Sequence, residues 1–425
     1  MPMSRAVSDD PVPAGAGLWG TQRPVILRSF YEEVREKGFS LLLRFSPLCY
    51  NHGIVEKEDR TMAFQLRSYH APVFTEERFL SAPEARLAPA PADGIAPDGY
   101  HAMSIFPEYF KIEGAWHLAE ESRMDCVAVW EEKKIRVIEF RNLKQGQPVV
   151  LGRSEDGSEG IYVHPGAFHH PGEGGHEETF AFRQKRSRET AFSRDYDELY
   201  EILKHDRDYG KIVWVMGPAL AFDYDARESF SRLIDNGYVD ALLAGNALAT
   251  HDLEAAWLKT ALGQNIYTQA IQPNGHYNHL DTINRVRACG SIRAFLEKEG
   301  LSDGIMAHLE KRRVPYVLAG SIRDDGPLPE VTGNVYEAQN KMRDQVRGAT
   351  TVICLATMLH SIAVGNMTPS YRVMPDGPIR EVYFYCVDIS EFTANKLGDR
   401  GSLSAKGIVT NVQDFIVTLR NGLGI

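Results

Sequence analysis

Residues 314–329 read VPYVLAGSIRDDGPLP, and residues 350–369 read TTVICLATMLHSIAVGNMTP. Twice an apolar run of strand length, at 315–319 and again at 351–355, stops abruptly and gives way to small, polar and charged residues. An apolar run without polar alternation predicts a strand buried on both faces, as in a parallel sheet, with a binding loop at its carboxyl end. In an open α/β sheet, ligands sit in the crevice beyond those ends. The pattern therefore gathers Gly320, Ser321, Arg323, Asp324, Asp325, Thr357 and His360 around one site.

The same alternation extends to both sides. A helix is expected over 196–205, a strand over 212–216, and a helix over 226–234 with Asp223 or Asp225 as its N-cap. A strand over 239–243 then ends in Ala244, Gly245, Asn246 and Ala247. Later strands are expected at 316–319, 352–355, 382–387 and 407–410. Strands alternating with helices, nearly all stopping at Gly, Asn, Asp, Ser or Thr, predict a doubly wound α/β domain over 190–425. Before it, residues 21–185 read as a smaller α+β, β-rich domain. Short strands at 126–130, 134–140, 149–151 and 161–163, separated by polar turns, predict a small sheet or barrel. Within that part, a helix ending near Gly38 and a following strand are expected over 25–45, and the Pro/Ala-rich stretch 81–97 reads as an exposed loop. Residues 1–20 have the composition of a disordered tail.

The chain has 425 residues, 43% hydrophobic and 24% charged, with a net charge of -10. That composition describes a globular protein with room for two or three domains. An acidic balance argues against general nucleic-acid binding, which needs a basic face; the one dense basic run, residues 183–188, reads as a solvated segment. No apolar run has the length of a membrane span. The five cysteines are widely spaced and lack metal-binding intervals, which suits a reducing cytoplasm. Cys354 and Cys386 fall inside apolar runs and are expected in the core. His164, His169, His170 and His176 lie in a stretch rich in Gly and Pro, too pliable to fix metal ligands, so no metal is expected.

Chemistry is concentrated at the strand ends. Asp388 terminates the run EVYFYCV, where a carboxylate accepts hydrogen bonds from both ribose hydroxyls of a dinucleotide and repels a 2′-phosphate. The alternative is an N-cap for a helix starting near Ser390. The usual glycine fingerprint is missing: the one G-x-G-x-x-G lies in the tail, with no strand before it. Asp324 and Asp325 beside Arg323 read either as acid/base and positioning groups or as turn-capping aspartates. His360, His276 and His279 are candidate proton carriers, and His251-Asp252 either caps a helix or meets a ligand.

Taken together, GNALATHDLE, GHYNHL, VPYVLAGSIRDDGPLP, ATMLHSIAVGNMTP, CVDIS, KLGDRGS and GIVTNV strongly resemble the archaeal-type ornithine cyclodeaminases, a family named for a shared lysine-oxoglutarate reductase/saccharopine dehydrogenase region. The chain is similar also to the C-terminal module of arginine dihydrolase/ornithine cyclodeaminase fusions. The likeness runs from about residue 109 to the C-terminus. It implies an NAD-binding domain of the deoxyhypusine synthase-like kind, which accounts for the missing fingerprint. The cofactor contacts it implies are Asn246, Ala247, Asp325, Thr357, Met358, Leu359, His360, Asp388, Ile389, Asn411 and Val412. Asp324, Asp325, His276 and His279 are then the acid/base candidates, and Tyr277, Asn278 and Arg323 the substrate contacts. Where the family pattern reads GHRHHL, this chain has GHYNHL, and Asn411 stands where the pattern has aspartate. The implied reaction oxidises the α-carbon of ornithine or a related basic amino acid to an imine, closes the ring with loss of ammonia, and re-reduces it, giving a proline-type product. Two other outcomes fit the same residues: an amino-acid or opine-type dehydrogenase with net redox, and an NAD-binding regulatory protein without turnover. A cytoplasmic homo-oligomer, dimer or tetramer, is expected.

Overall fold

The computed structural model describes residues 65–169, 193–324, 326–390, 392–393 and 403–425. The expected tail and the helix and strand over 25–45 lie outside the described residues, as do Asp325, His170 and His176.

Seven parallel strands form the main sheet: β1 (Ile212–Met216), β2 (Ala241–Gly245), β3 (Tyr316–Ala319), β4 (Val331–Thr332), β5 (Thr351–Leu355), β6 (Tyr383–Asp388) and β7 (Ala405–Val409). Their spatial order is β4-β3-β2-β1-β5-β6-β7. The chain moves outward from β1 to β4, then returns across the sheet to lay β5 against β1, in register from Ile212 opposite Thr351 to Met216 opposite Leu355. This is a doubly wound sheet with its switch point between β1 and β5. One strand, β4, has no counterpart in the sequence reading, since two residues carry no periodicity.

The helices follow from that winding. They are α1 (Ser193–Tyr209), α2 (Tyr224–Asp235), α3 (Asn246–Leu258), α4 (Asn278–Cys289), α5 (Ile292–Glu299), α6 (Ile305–Arg312), α7 (Val335–Val346), α8 (Met358–Met367) and α9 (Val412–Leu423). Parallel crossovers are right-handed, so connections running outward put their helices on one face and connections running back put them on the other. Accordingly, side chains of α2 to α6 share a core with α1 and α9, while α7 and α8 share the opposite one. Period-two alternation divides each strand between the two cores. Ile212, Trp214 and Met216 face the first; Val213 and Val215 face the second, with Cys354 and Cys386. Trp214 is fully buried, and its indole N–H donates to the Tyr238 carbonyl at 2.8 Å, which removes the polar cost of placing it there. At the start of α2, Asp223 accepts from the Ala226 amide and is the N-cap.

Before the main sheet, two small antiparallel sheets share one core through Phe110, Ile112, Ala128, Val137, Val150 and Ile161. One contains Arg86–Pro89, Pro148–Leu151, Cys126–Glu131 and Lys134–Glu139; the other contains Ala115–Leu118, Glu108–Ile112 and Ile161–Val163. Residues 86–89, expected in an exposed loop, form an edge strand paired with 148–151. An edge strand tolerates Pro89 because half of its N–H groups need no partner. Tyr371 donates its hydroxyl to the Ala119 carbonyl, and Glu139 pairs with both Arg123 and Arg343, fastening this β-rich part to α7 and to the segment after α8.

A second polar knot holds α1 to the sheet. Asp206, fully buried, accepts two bonds from Arg380 at 2.8 and 3.0 Å, plus the hydroxyls of Thr350 at 2.7 Å and Thr351 at 2.8 Å. Burial alone would raise its pKa; the Arg380 guanidinium and the hydroxyl donors outweigh that and hold the carboxyl below its ordinary value.

Replacing Asp206 with alanine leaves the Arg380 guanidinium buried and unpaired, at an expected cost of about 3–5 kcal/mol, measured as a lowered urea midpoint. Because the folded pKa is depressed, the stabilisation from Asp206 is complete above the unfolded carboxyl pKa of about 3.9 and disappears as pH falls through the folded value. A midpoint unchanged by the substitution contradicts this account.

Candidate functional site

The carboxyl ends of β1, β2, β3, β5 and β6 face one edge of the sheet, and the loops that leave them build the site. At the switch point the two central strands nearly touch. The Gly217 amide donates to the Leu355 carbonyl at 2.9 Å, and a β-carbon on Gly217 would lie 2.1 Å from the Ala356 carbonyl oxygen. Ala356 itself has φ of 46°, in the left-handed region that a residue with a side chain seldom occupies. The backbone therefore turns sharply out of β5 and directs Thr357 and α8 across the crevice.

Thr357 takes the N-cap position of α8 with extended backbone, yet its side chain makes no capping hydrogen bond. The first-turn amides of α8 are left without a side-chain cap, and such amides favour an anion. On that turn Met358 and Leu359 are exposed, and Ile389, beyond β6, is 70% exposed. Apolar side chains turned outward at the mouth of a crevice suit the planar rings of a dinucleotide better than they suit water.

His360, in the first turn of α8, lies over the end of β2: a β-carbon on Gly245 would come within 3.2 Å of its Cε1. Burial pushes the His360 pKa down, and the Asp324 carboxylate acts in the opposite direction. The imidazole is consequently held neutral in the crevice. Asp324 is tied into its own turn, accepting from the Ser321 amide at 2.8 Å while its amide donates to the Ser321 carbonyl at 3.0 Å. The turn-capping geometry is thus realised, with the same carboxylate facing His360. Arg323 is exposed beside it, and Asp325 lies outside the described residues.

Asn246 opens α3 at the end of β2. It is buried, and its Oδ1 accepts from the Leu328 amide at 3.0 Å, which anchors the loop after β3 to the head of α3. Ala247 next to it is exposed. Asp388 ends β6 with one carboxylate oxygen accepting from the Ser390 amide at 2.9 Å. Its carboxylate has further acceptor capacity. Burial and, after it, the Asp388 charge push the Cys386 thiol up to about 12, so this cysteine is chemically inert. Asn411 is the N-cap of α9, accepting from the Gln413 amide at 2.8 Å, and Val412 packs into the core, so only its backbone is free for a ligand.

The loop over 275–280 leads into α4 and packs on the turn that follows α3, with Gly275 against Gly263. His276 and Tyr277 are exposed, their rings 4.3 Å apart. Asn278 donates to the Thr260 hydroxyl at 2.8 Å. His279 comes within 6.1 Å, ring to ring, of His251. The edge therefore brings together Asn246, Asp324, Thr357, His360 and Asp388, while His276, Tyr277, Asn278 and His279 form a second group at its side. Asp252 is not part of either. It is fully buried, pairs with Arg227, and accepts from the amides of Ile305 and Met306 at the start of α6, so the helix-capping alternative is the one realised. One contributor was not read from the sequence: Gly217, whose signal was an apolar run ending in Gly-Pro.

No group of three or more metal-ligating side chains is present among the described residues, and none of their helices is long and apolar enough to cross a membrane. A dinucleotide fits the donor set: uncapped helix amides, a carboxylate at a strand end, and glycines where a β-carbon would fill the crevice.

Comparison with known proteins agrees with this architecture. Residues 197–419 match the family model of the C-terminal Rossmann-fold region of ArgZ-like arginine dihydrolases. Ornithine cyclodeaminase of Methanopyrus kandleri is 40% identical over 364 residues, which cover 85% of this chain and 82% of that protein. The crystal structure of a Methanococcus maripaludis protein of the LOR/SDH group has a TM-score of 0.72 and 36% identity, covering 80% of this chain and 98% of that one. A crystal structure of AgrE in ternary complex with ornithine and NAD+ has a TM-score of 0.50 and 33% identity, covering 81% of this chain and 46% of that one. The chain belongs to the archaeal-type ornithine cyclodeaminase family, whose Rossmann-fold region it shares with the C-terminal part of ArgZ-like arginine dihydrolases.

Proposed function

We propose that this chain is an NAD-dependent ornithine cyclodeaminase, converting ornithine to proline and ammonia without net redox. The observation that carries the proposal is the complex of its relative AgrE with ornithine and NAD+, set beside a crevice here whose residues suit a dinucleotide. When bound, NAD+ supplies reversible oxidation at the substrate α-carbon.

The chain's own residues orient the reactants and handle protons. Asp388 accepts from ribose hydroxyls and repels a 2′-phosphate. The amides of Met358, Leu359 and His360 receive the diphosphate. Asn246, Ala247, Ile389, Asn411, the Val412 backbone and Asp325 complete the cofactor contacts. His360, kept neutral by burial, adds no positive charge to the crevice in which NAD+ would bind. Arg323 meets the substrate carboxylate, and Tyr277 and Asn278 shape the substrate end of the site, with Asp324, Asp325, His276 and His279 as the acid/base set. Residues 190–425 act as the cofactor-binding unit and the β-rich residues before it as its support. We assign the protein to the cytoplasm as a homo-oligomer, dimer or tetramer. The support for assembly is the exposure of Leu262, Tyr267 and Ile271 along one surface segment.

Purified protein with NAD+ is expected to release one ammonia per proline from ornithine, with no growth of absorbance from reduced cofactor. Steady accumulation of reduced cofactor would instead establish a dehydrogenase. Substituting Asp388 with alanine removes a charged acceptor worth about 1.5–3 kcal/mol, so calorimetry is expected to show NAD+ binding at least tenfold weaker. The unmodified protein prefers NAD+ to NADP+; equal affinity for the two cofactors overturns the role of Asp388.

A further inference from the structure

Residues 260–280 contain no Asp, Glu, Lys or Arg, in a chain that is 24% charged. A comparable charge-free run, 348–371, is accounted for by β5 and α8, whose residues fill the sheet or border the crevice. Burial does not account for the first run. Leu262, Tyr267, Ile271, Tyr277 and Leu280 lie at its surface, with exposures from 47% to 81%. Single exposed apolar side chains are ordinary, but five on one uncharged segment form a patch of the kind that marks an interaction surface.

The backbone beneath these side chains is held in place. Glu254, fully buried, accepts from the Leu262 and Gly263 amides, each at 3.2 Å. The Tyr224 amide donates to the Ile266 carbonyl at 3.3 Å, and the Gln269 side chain donates to the Phe222 carbonyl at 3.0 Å. Asn265 Oδ1 accepts from the Tyr267 and Thr268 amides at 2.9 and 3.0 Å, while Ala261 and Ile266 pack inward with Ala255. Gly275 meets Gly263 so closely that a β-carbon on Gly275 would lie 2.5 Å from the Gly263 carbonyl oxygen. The apolar side chains are thus displayed on an ordered frame, which lowers the entropic cost of burying them against a partner.

Electrostatics selects the occupant. A charged partner is recognised by opposite charge, and this stretch offers no carboxylate, ammonium or guanidinium group. Each copy of the chain carries a net charge of -10, so two copies repel over most of their surface and least where charge is absent. An uncharged apolar patch is complementary to itself, as a two-fold contact requires, and charged residues are depleted at the core of such interfaces. We propose that two copies of this chain pair about a two-fold axis through residues 262–280, and that the pairing fixes the substrate end of the site. The second clause rests on the cyclodeaminase reading, in which Tyr277 and Asn278 meet the substrate. Tyr277 is 54% exposed in the single chain, and a partner seated on the segment removes it from water. The helix α4, which begins at Asn278, carries that constraint to the crevice: a β-carbon on Gly326, two residues beyond Asp324, would lie 3.2 Å from Ile283 Cγ2.

The test uses the full-length protein. In sedimentation, the wild type is expected at an even multiple of the 47.6 kDa chain mass, and Ile271→Asp at half the wild-type mass. In the unmodified protein, hydrogen exchange at the amides of residues 260–280 is expected to speed up when the sample is diluted through its dissociation range, a measurement that needs no variant to fold. Ile271→Asp is expected to bind NAD+ with wild-type affinity and to show a KM for ornithine raised about tenfold or more. A wild type sedimenting at the single-chain mass overturns the proposal, as does an assembly whose exchange at 260–280 is indifferent to dilution, since it pairs through another face. Protection of 260–280 that appears only on addition of a different protein also overturns it, and a wild-type KM in dissociated Ile271→Asp overturns the coupling to substrate. Failure of the wild type to turn over ornithine counts against the cyclodeaminase reading instead, because mass and exchange report on pairing without turnover.

Discussion

The near-contact of Gly217 with Ala356 is the constraint on which the site depends. Two parallel strands that leave a sheet in opposite directions must part at their carboxyl ends, and here the parting is tight enough to exclude a β-carbon. Because the chain goes outward from β1 and returns to β5, every loop from β1, β2, β3, β5 and β6 opens on the same edge. The strain at Ala356 turns α8 over that opening, which brings His360 to Gly245, two strands away, and leaves the first amides of α8 uncapped. A different strand order would scatter the same residues.

Buried polar groups act in two ways around this frame. Asp206 pairs with Arg380 and Asp252 with Arg227, while Glu139 meets three arginines, Arg123, Arg141 and Arg343; each group joins elements distant in sequence. They are structural, and breaking one partner is costly because the other is left charged in a poor solvent. Glu254 differs in its partners: two backbone amides, one hydroxyl and one histidine meet it, and together they tie the turn after α3 to the helix.

Much of the main sheet was legible because β1, β5 and β6 are buried on both faces and read as unbroken apolar runs. The abrupt ends of β3, β5 and β6 place Asp324, Thr357, His360 and Asp388 at one edge. What was not legible depends on partners remote in sequence. The edge strand 86–89 exists because 148–151 pairs with it, and its proline content gave the opposite signal. The strand β4 is two residues long, below any detectable period. Propensity shows that Asn246 sits at a helix start, yet only tertiary structure shows its side chain bound to the Leu328 amide. Glu254 looked like an ordinary helix residue until four donors converged on it.

The central claim is that a single site removes and restores the hydrogen on the substrate α-carbon. Its most direct measurement is a single turnover of ornithine deuterated at that carbon, in ordinary water with unlabelled NAD+ and with protein in excess. The account predicts proline that retains deuterium at its α-carbon. Proline carrying protium there, with the label found in released cofactor or in water, would contradict it.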